Sequence, residues 1–273
     1  MKKIVFISAF VLIVSIGAFA QLGGFFKDRL QGNPENPIHP LKALNDLGNV
    51  LKGVNGIGLQ EEMTIGNSVA VQIVSRYGGL VRDPKITRRV NLIGKSLALY
   101  CERPELNFRF GVLNSDTVNA FSAPGGYVFI TRGLYDMIQN DDQLAGVLGH
   151  EIEHVAKKHA LKIIAGREFF QGVSGLASDV AGADGKRDLT RYRQSIGNLT
   201  GLIVGKGFDR QTEYVADASG SQLAATVNYA PDGLRQCLME LKNHETPSRA
   251  FFPTHPPLKD RIEKLQALET GGH

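Results

Sequence analysis

The spacing of apolar residues divides this chain into stretches of different character. Ile4 to Ile16 is an almost unbroken apolar run. From residue 21 to about residue 60 no period is sustained. Gly23-Gly24, Asn33-Pro34, Asn36-Pro37, Pro40 and the glycines from Gly53 to Gly58 punctuate that segment, which predicts an extended lead-in. Between Glu61 and Tyr100 helical spacing appears twice, broken at Gly78-Gly79 and again at Asp83-Pro84. Asn107 to Leu113 alternates apolar and polar positions with period two and reads as a strand. Ala120 to Ala123 and the β-rich Tyr127 to Thr131 flank a turn at Pro124-Gly125-Gly126. Leu144, Val147, Leu148, Ile152 and Val155 then return to helical spacing, with Asn140 and Gln143 placed as a capping box. Helical character recurs around Glu213 to Gly220. A charged amphipathic helix runs from Leu258 to Leu268, after the Pro253, Pro256 and Pro257 cluster. The pattern predicts an α+β fold, mostly helical with one small β-sheet, and shows no internal repeat.

The first 20 residues follow different rules. Lys2 and Lys3, the apolar run and Ala18-Phe19-Ala20 have the layout of a secretory signal peptide cut before Gln21. The domain reading is therefore residues 1–20 signal peptide, 21–60 extended lead-in and 61–273 functional domain. An uncleaved membrane anchor is the competing reading, although the run is short for a span. No cysteine follows it, which argues against a lipoprotein. The rest of the chain, 42% hydrophobic and 21% charged overall, has an ordinary globular balance. The formal net charge of +4 falls to +2 once Lys2 and Lys3 are removed, so nucleic acid is not an expected partner. Cys101 and Cys237 are too far apart in sequence for a metal motif. They either form one disulfide in an oxidising compartment or serve as small buried apolar residues.

Chemistry concentrates in His150-Glu151-Ile152-Glu153-His154. Histidines four apart on a helix share a face, so both imidazoles can reach one tetrahedral zinc ion. Glu151, beside the first histidine, then stands next to the metal's open position, where it can take a proton from the attacking water. Chance supplies this pattern in about one such chain in a hundred, which weighs against a surface helix that happens to carry two histidines. A catalytic zinc needs a third protein ligand. Glu213, in Glu213-Tyr-Val-Ala-Asp217, is the natural choice, and Asp217 one turn later can accept the Nδ1–H of a ligand histidine. Taken alone, that acidic pair would be a solvated helix face; the upstream motif changes its meaning. His159, five residues past His154, projects about 140° around the same helix and is expected at the surface.

These motifs resemble the gluzincin zinc peptidases, whose third ligand is a glutamate on a second helix. Within them the chain is similar to the CAAX-prenyl-protease and HtpX-like family, specifically its soluble periplasmic quality-control members. Glu62 to Gly66, Tyr77 to Pro84 and Val90 to Gly94 resemble the family's N-terminal helices. Asn119 to Leu134 resembles its strand-turn-strand segment, and Asn228 to Pro231 with Thr254-His255-Pro256 its C-terminal signatures. Coverage is roughly residues 60 to 268.

The resemblance implies a zincin-like metallopeptidase fold and one Zn²⁺ per chain, held by His150, His154 and Glu213. It implies an exported, periplasmic endopeptidase, soluble or peripheral to the outer membrane. The expected substrates are unfolded or misassembled envelope polypeptides, and the outer-membrane assembly machinery is a candidate partner. It also marks Asn119, Ala120, Phe121, Ser122 and Ala123 as an edge strand that binds substrate backbone by β-augmentation; a plain core hairpin is the alternative. His255 is implied to lie near the zinc, either as a switch that occupies the open position, as a group stabilising the transition state, or as a structural residue of a proline-rich turn. Tyr214 and His244 are the other candidates for the oxyanion. The nine glycines from Gly166 to Gly207 depart from the family pattern and read either as a mobile cover or as an exposed connection between helices. Two rivals to the peptidase stay open. A non-catalytic or latent envelope chaperone is disfavoured by the retained Glu151, and a structural zinc site would be closed by four protein ligands.

Overall fold

A charged first turn and an apolar stripe open the described part of the chain. Helix α1 (Leu59–Arg76) buries Ile65, Val69 and Ile73, spaced four apart on one face. Its Glu62 is buried too, because Arg103 meets the carboxylate with two bonds of 2.9 Å and the Gly125 N–H donates to it at 3.1 Å. That link ties α1 to the turn after the second strand. A computed structural model of the chain describes residues 57–164, 193–194, 196–245, 251–252 and 254–271. Residues 1–20, read above as a signal peptide, nearly all of the expected lead-in and residues 165–192 of the glycine-rich stretch lie outside the described residues.

Helix α2 (Pro84–Ala98) starts as Asp83 and Pro84 require: the Asp83 carboxylate accepts from the Lys85 and Ile86 N–H groups, and proline occupies the first turn. The strands are β1 (Arg109–Leu113), β2 (Ala120–Ala123) and β3 (Tyr127–Thr131), in spatial order β1-β3-β2. β1 runs parallel to β3 and β2 antiparallel to it, which leaves β2 on an edge. Val128 and Ile130 face a core built with α2 and the later helices, while Phe129, Phe121 and Leu113 face a second core built with α1. The sheet is thus covered on both sides. Alternation places Ser122 on the same face as Ala120, toward the helix that follows.

After a short turn α3 (Arg132–Tyr135) comes α4 (Asp141–Ala156), buried along nearly its whole length. The Asn140 side chain accepts from the Gln143 N–H at 2.9 Å, and the Gln143 side chain answers by accepting from the Gln139 N–H. The return bond therefore goes one residue upstream of the usual capping-box partner. Then follow α5 (His159–Ile164), a π-helical turn (Leu202–Lys206), α6 (Arg210–Thr226), α7 (Gly233–Asn243) and α8 (Leu258–Thr270). α4 and α6 cross in direct backbone contact. A Cβ on Gly149 would stand 2.6 Å from the Gly220 oxygen, and one on Gly220 2.5 Å from the His150 nitrogen. Glycine at both positions sets how closely Glu213 can approach the α4 histidines. The expected mostly helical α+β architecture with one small sheet, the zincin-like arrangement, is the one observed. Cys101 and Cys237 are both buried free thiols, and burial pushes the Cys237 pKa up to about 12.

Candidate active site

His150 and His154 lie one turn apart on α4, and their Nε2 atoms are 3.0 Å from each other. α6 delivers Glu213 against them: one carboxylate oxygen is 3.4 Å from His150 Nε2 and the other 3.6 Å from His154 Nε2. From the segment before α8, His255 brings its Nε2 to 3.5 Å from Glu213 Oε2. All four donor atoms lie within 4.8 Å of one another. Ligands about 2.0 Å from a tetrahedral zinc stand about 3.3 Å apart, so these separations suit that ion. A second observation agrees. Glu213 is 0% exposed, and neither oxygen has a hydrogen-bond partner among the described residues. A buried carboxylate without donors is costly, and a divalent cation removes that cost.

The rest of the site supports the two histidines. Asp217 Oδ1 lies 2.8 Å from His150 Nδ1. Arg261 of α8 in turn grips Asp217 with bonds of 2.9 and 2.6 Å, and arginine and aspartate are both buried. Burial works against a charged Asp217, but the Arg261 guanidinium and His150 hold its pKa well below the usual range. Burial likewise opposes a charged His150, yet Asp217 and Glu213 outweigh it and lift the pKa to about 9. His154 moves the other way, far down, through burial and the neighbouring His150 and His159. Glu151 is 2% exposed, and burial raises its pKa to about 7 against the pull of His150 and a hydrogen bond from Ser122. It lines a cleft with Phe121, Ser122, Phe208, Thr254 and His255.

Several expectations change. His159 is not at the surface. α4 stops at Ala156, Lys158 takes a left-handed φ of 55°, and a new helix begins at His159. That break costs on the order of 1 kcal/mol for a non-glycine residue, and it turns the imidazole inward. His159 is 7% exposed, and its Nδ1 is 2.8 Å from His154 Nδ1. Burial and the nearby Lys162 and Lys157 ammonium groups lower its pKa to about 3. Of the three oxyanion candidates only His255 joins the cluster. Tyr214 faces the Lys264 ammonium, and His244 is exposed beside Glu240 at 3.0 Å. The candidate edge-strand segment forms a strand over four of its five residues. The strand proper is Ala120–Ala123, while the Asn119 backbone exchanges bonds with Thr131. β2 is an edge in topology, but Asn119, Ala120, Phe121, Ser122 and Ala123 are all buried. The π-helical turn Leu202–Lys206 packs against the strand.

Sequence reasoning passed over Arg261 and Phe208. Arg261 had a signal: it occupies the inner stripe of α8 with Leu258 and Leu265, where a charge needs a buried partner. Phe208, stacked on the His154 ring at 4.4 Å between centroids, had none.

The model of peptidase family M48 matches residues 84–269, well over half of the chain. The chain belongs to peptidase family M48. Among its relatives, the beta-barrel assembly-enhancing protease of Escherichia coli K12 is 27% identical over 222 residues, covering 79% of this chain and 43% of that protein. Metalloprotease YcaL of the same organism is 29% identical over 215 residues, covering 75% and 74%. The mitochondrial metalloendopeptidase OMA1 of Schizosaccharomyces pombe is 27% identical over 217 residues, covering 78% and 62%. The chain thus spans less than half the length of the first of these relatives. Zinc is the metal of M48 peptidases, and His150, His154, Glu213 and His255 form a group able to hold it.

Proposed function

We propose that this chain is a zinc metalloendopeptidase that cuts unfolded or misassembled polypeptides of the cell envelope. The observation that carries the reading is the convergence of His150, His154 and Glu213, with the Glu151 carboxylate beside them in the same cleft. His150, His154 and Glu213 are the metal ligands, and Asp217 orients His150. Zinc, when bound there, supplies Lewis acidity to the scissile carbonyl and to the attacking water. Glu151 takes the proton of that water and returns it to the leaving amide nitrogen, acting first as base and then as acid. Phe121, Phe208 and the neighbouring walls of the cleft limit the water around Glu151. Substrate backbone aligns along β2, as an added strand, once the π-helical turn gives way. A folded domain cannot offer such a strand, which is the basis for a preference for unfolded chains.

Export belongs to the same proposal and rests on the residue 1–20 pattern. No described helix is long and apolar enough to cross a membrane. An outer-membrane connection, with the assembly machinery as partner, draws on the printed name of the beta-barrel assembly-enhancing protease.

The test is digestion of one outer-membrane protein in denatured and native form, with and without chelator, read by mass spectrometry. Internal cuts in the denatured form that chelator abolishes are expected. Stepwise loss of terminal residues, or cleavage indifferent to chelator, contradicts the proposal.

One observation favours a variant of this reading. His255 stands among the donors, so four protein groups rather than three can surround the cation. In that arrangement His255 fills the place water needs, and the enzyme is latent until the segment before α8 moves.

A further inference from the structure

A metal-bound imidazole has two nitrogens, and the one not facing the metal decides how the ring is held. On His150 that role falls to Asp217, a carboxylate held by Arg261. On the Nδ1 side of His154 the partner among the described residues is not a carboxylate. That nitrogen meets another imidazole nitrogen, His159 Nδ1, at 2.8 Å. Two ring nitrogens at that distance share one proton, and only one of them can donate it. His154 turns its Nε2 toward His150 Nε2 and Glu213, the side where the donors converge.

We propose that His159 is a positioning residue for the metal centre: its Nδ1 lone pair accepts the His154 Nδ1–H and so fixes His154 in the tautomer that offers Nε2 to the metal. The inference rests on the reading above that His154 is a ligand. Three features of the fold serve this contact. Lys158 accepts a left-handed conformation that ends α4 and re-aims His159. The two rings meet edge-on, with centroids 5.0 Å apart and planes at 72°. Phe208 then stacks on His154 and sets its ring centroid 5.8 Å from that of His159, which closes the pair from the side of the cleft. Had α4 continued past Lys158, His159 would have faced away from His154. The departure from helical geometry is what makes the contact.

The experiment uses the full chain in a Glu151→Gln background, so that self-digestion plays no part, and compares His159→Leu with His159→Asn. Asparagine Oδ1 stands close to where histidine Nδ1 was and can accept the same proton; leucine fills the space and accepts nothing. Zinc affinity by chelator competition should weaken about 10- to 100-fold in His159→Leu and recover most of that in His159→Asn. Nitrogen-15 spectra of the zinc-loaded parent should show His154 protonated at Nδ1 and His159 protonated at Nε2. Wild-type affinity in His159→Leu overturns the proposal. Equal weakening in both variants also overturns it, because a packing role, unlike an acceptor role, is not rescued by asparagine. A His159 Nδ1–H signal in the loaded parent does the same. If the parent itself holds no zinc, the metal-centre reading falls first and this inference with it, a result separable from the others.

Discussion

Arg261 carries a full charge into the interior at 1% exposure, and it does so because Asp217 meets it with both oxygens. Desolvating such a pair is expensive, but leaving one member alone costs more. Arg261→Leu should therefore destabilise the protein by about 3–5 kcal/mol in urea unfolding, with weaker zinc retention because Asp217 no longer holds its place beside His150. Adding Asp217→Asn to that variant should recover part of the stability by removing the orphaned charge. No recovery would mean that Arg261 acts through other contacts. His255 gives a second prediction at this scale. If its imidazole closes the metal's fourth place, His255→Ala raises basal proteolysis while zinc is retained. A fall of about a hundredfold or more would instead assign it to the oxyanion, and unchanged activity would leave it structural. The grouping of these residues was legible in the sequence, since His150 and His154 stand one helical turn apart and Glu213 with Asp217 repeat that spacing. His159 was not. A helical projection assumes that the helix goes on, and nothing in Lys157-Lys158 announces the left-handed residue that ends it.

The crossing of α4 and α6 decides whether these side chains can meet. One close approach is the Gly149–Gly220 contact, immediately beside His150. A methyl group at residue 220 would stand 2.5 Å from the His150 nitrogen, so the helices must separate to admit it. Gly220→Ala should cost about 1–3 kcal/mol and lower zinc occupancy, as Glu213 withdraws with its helix. Gly197→Ala, where the new methyl meets nothing within 4 Å, is the matched control and should be neutral or slightly stabilising. Thermal melts and metal content of the two variants check this; equal behaviour would mean that the crossing is not tight. Elements were readable where local rules govern them. Asp83-Pro84 opens α2, Asn140 opens α4, and the β-rich run Tyr127 to Thr131 is β3. The strand order was not readable, because the parallel pairing of β1 with β3 is a long-range choice that no period records. The covering of β2 by Leu202–Lys206 escaped for the same reason.

At the scale of the molecule, the site is a place where three separate parts of the sequence arrive. α4 brings two histidines and Glu151, α6 brings Glu213 and Asp217, and the C-terminal stretch brings His255 and Arg261. The sheet sits beside α4 with Ser122 turned toward Glu151. The family match spans all of these parts, from residue 84 to residue 269. Glu151 is proposed as a proton carrier and not a ligand, within a metal centre held by His150, His154 and Glu213. Metal content and cleavage of a denatured substrate, measured together on Glu151→Gln and Glu213→Ala, test it most directly. Glu151→Gln should hold one zinc per chain and cut nothing, and Glu213→Ala should lose the metal along with the activity. A Glu151→Gln protein that still cleaves, or that comes away empty of zinc, would contradict the account.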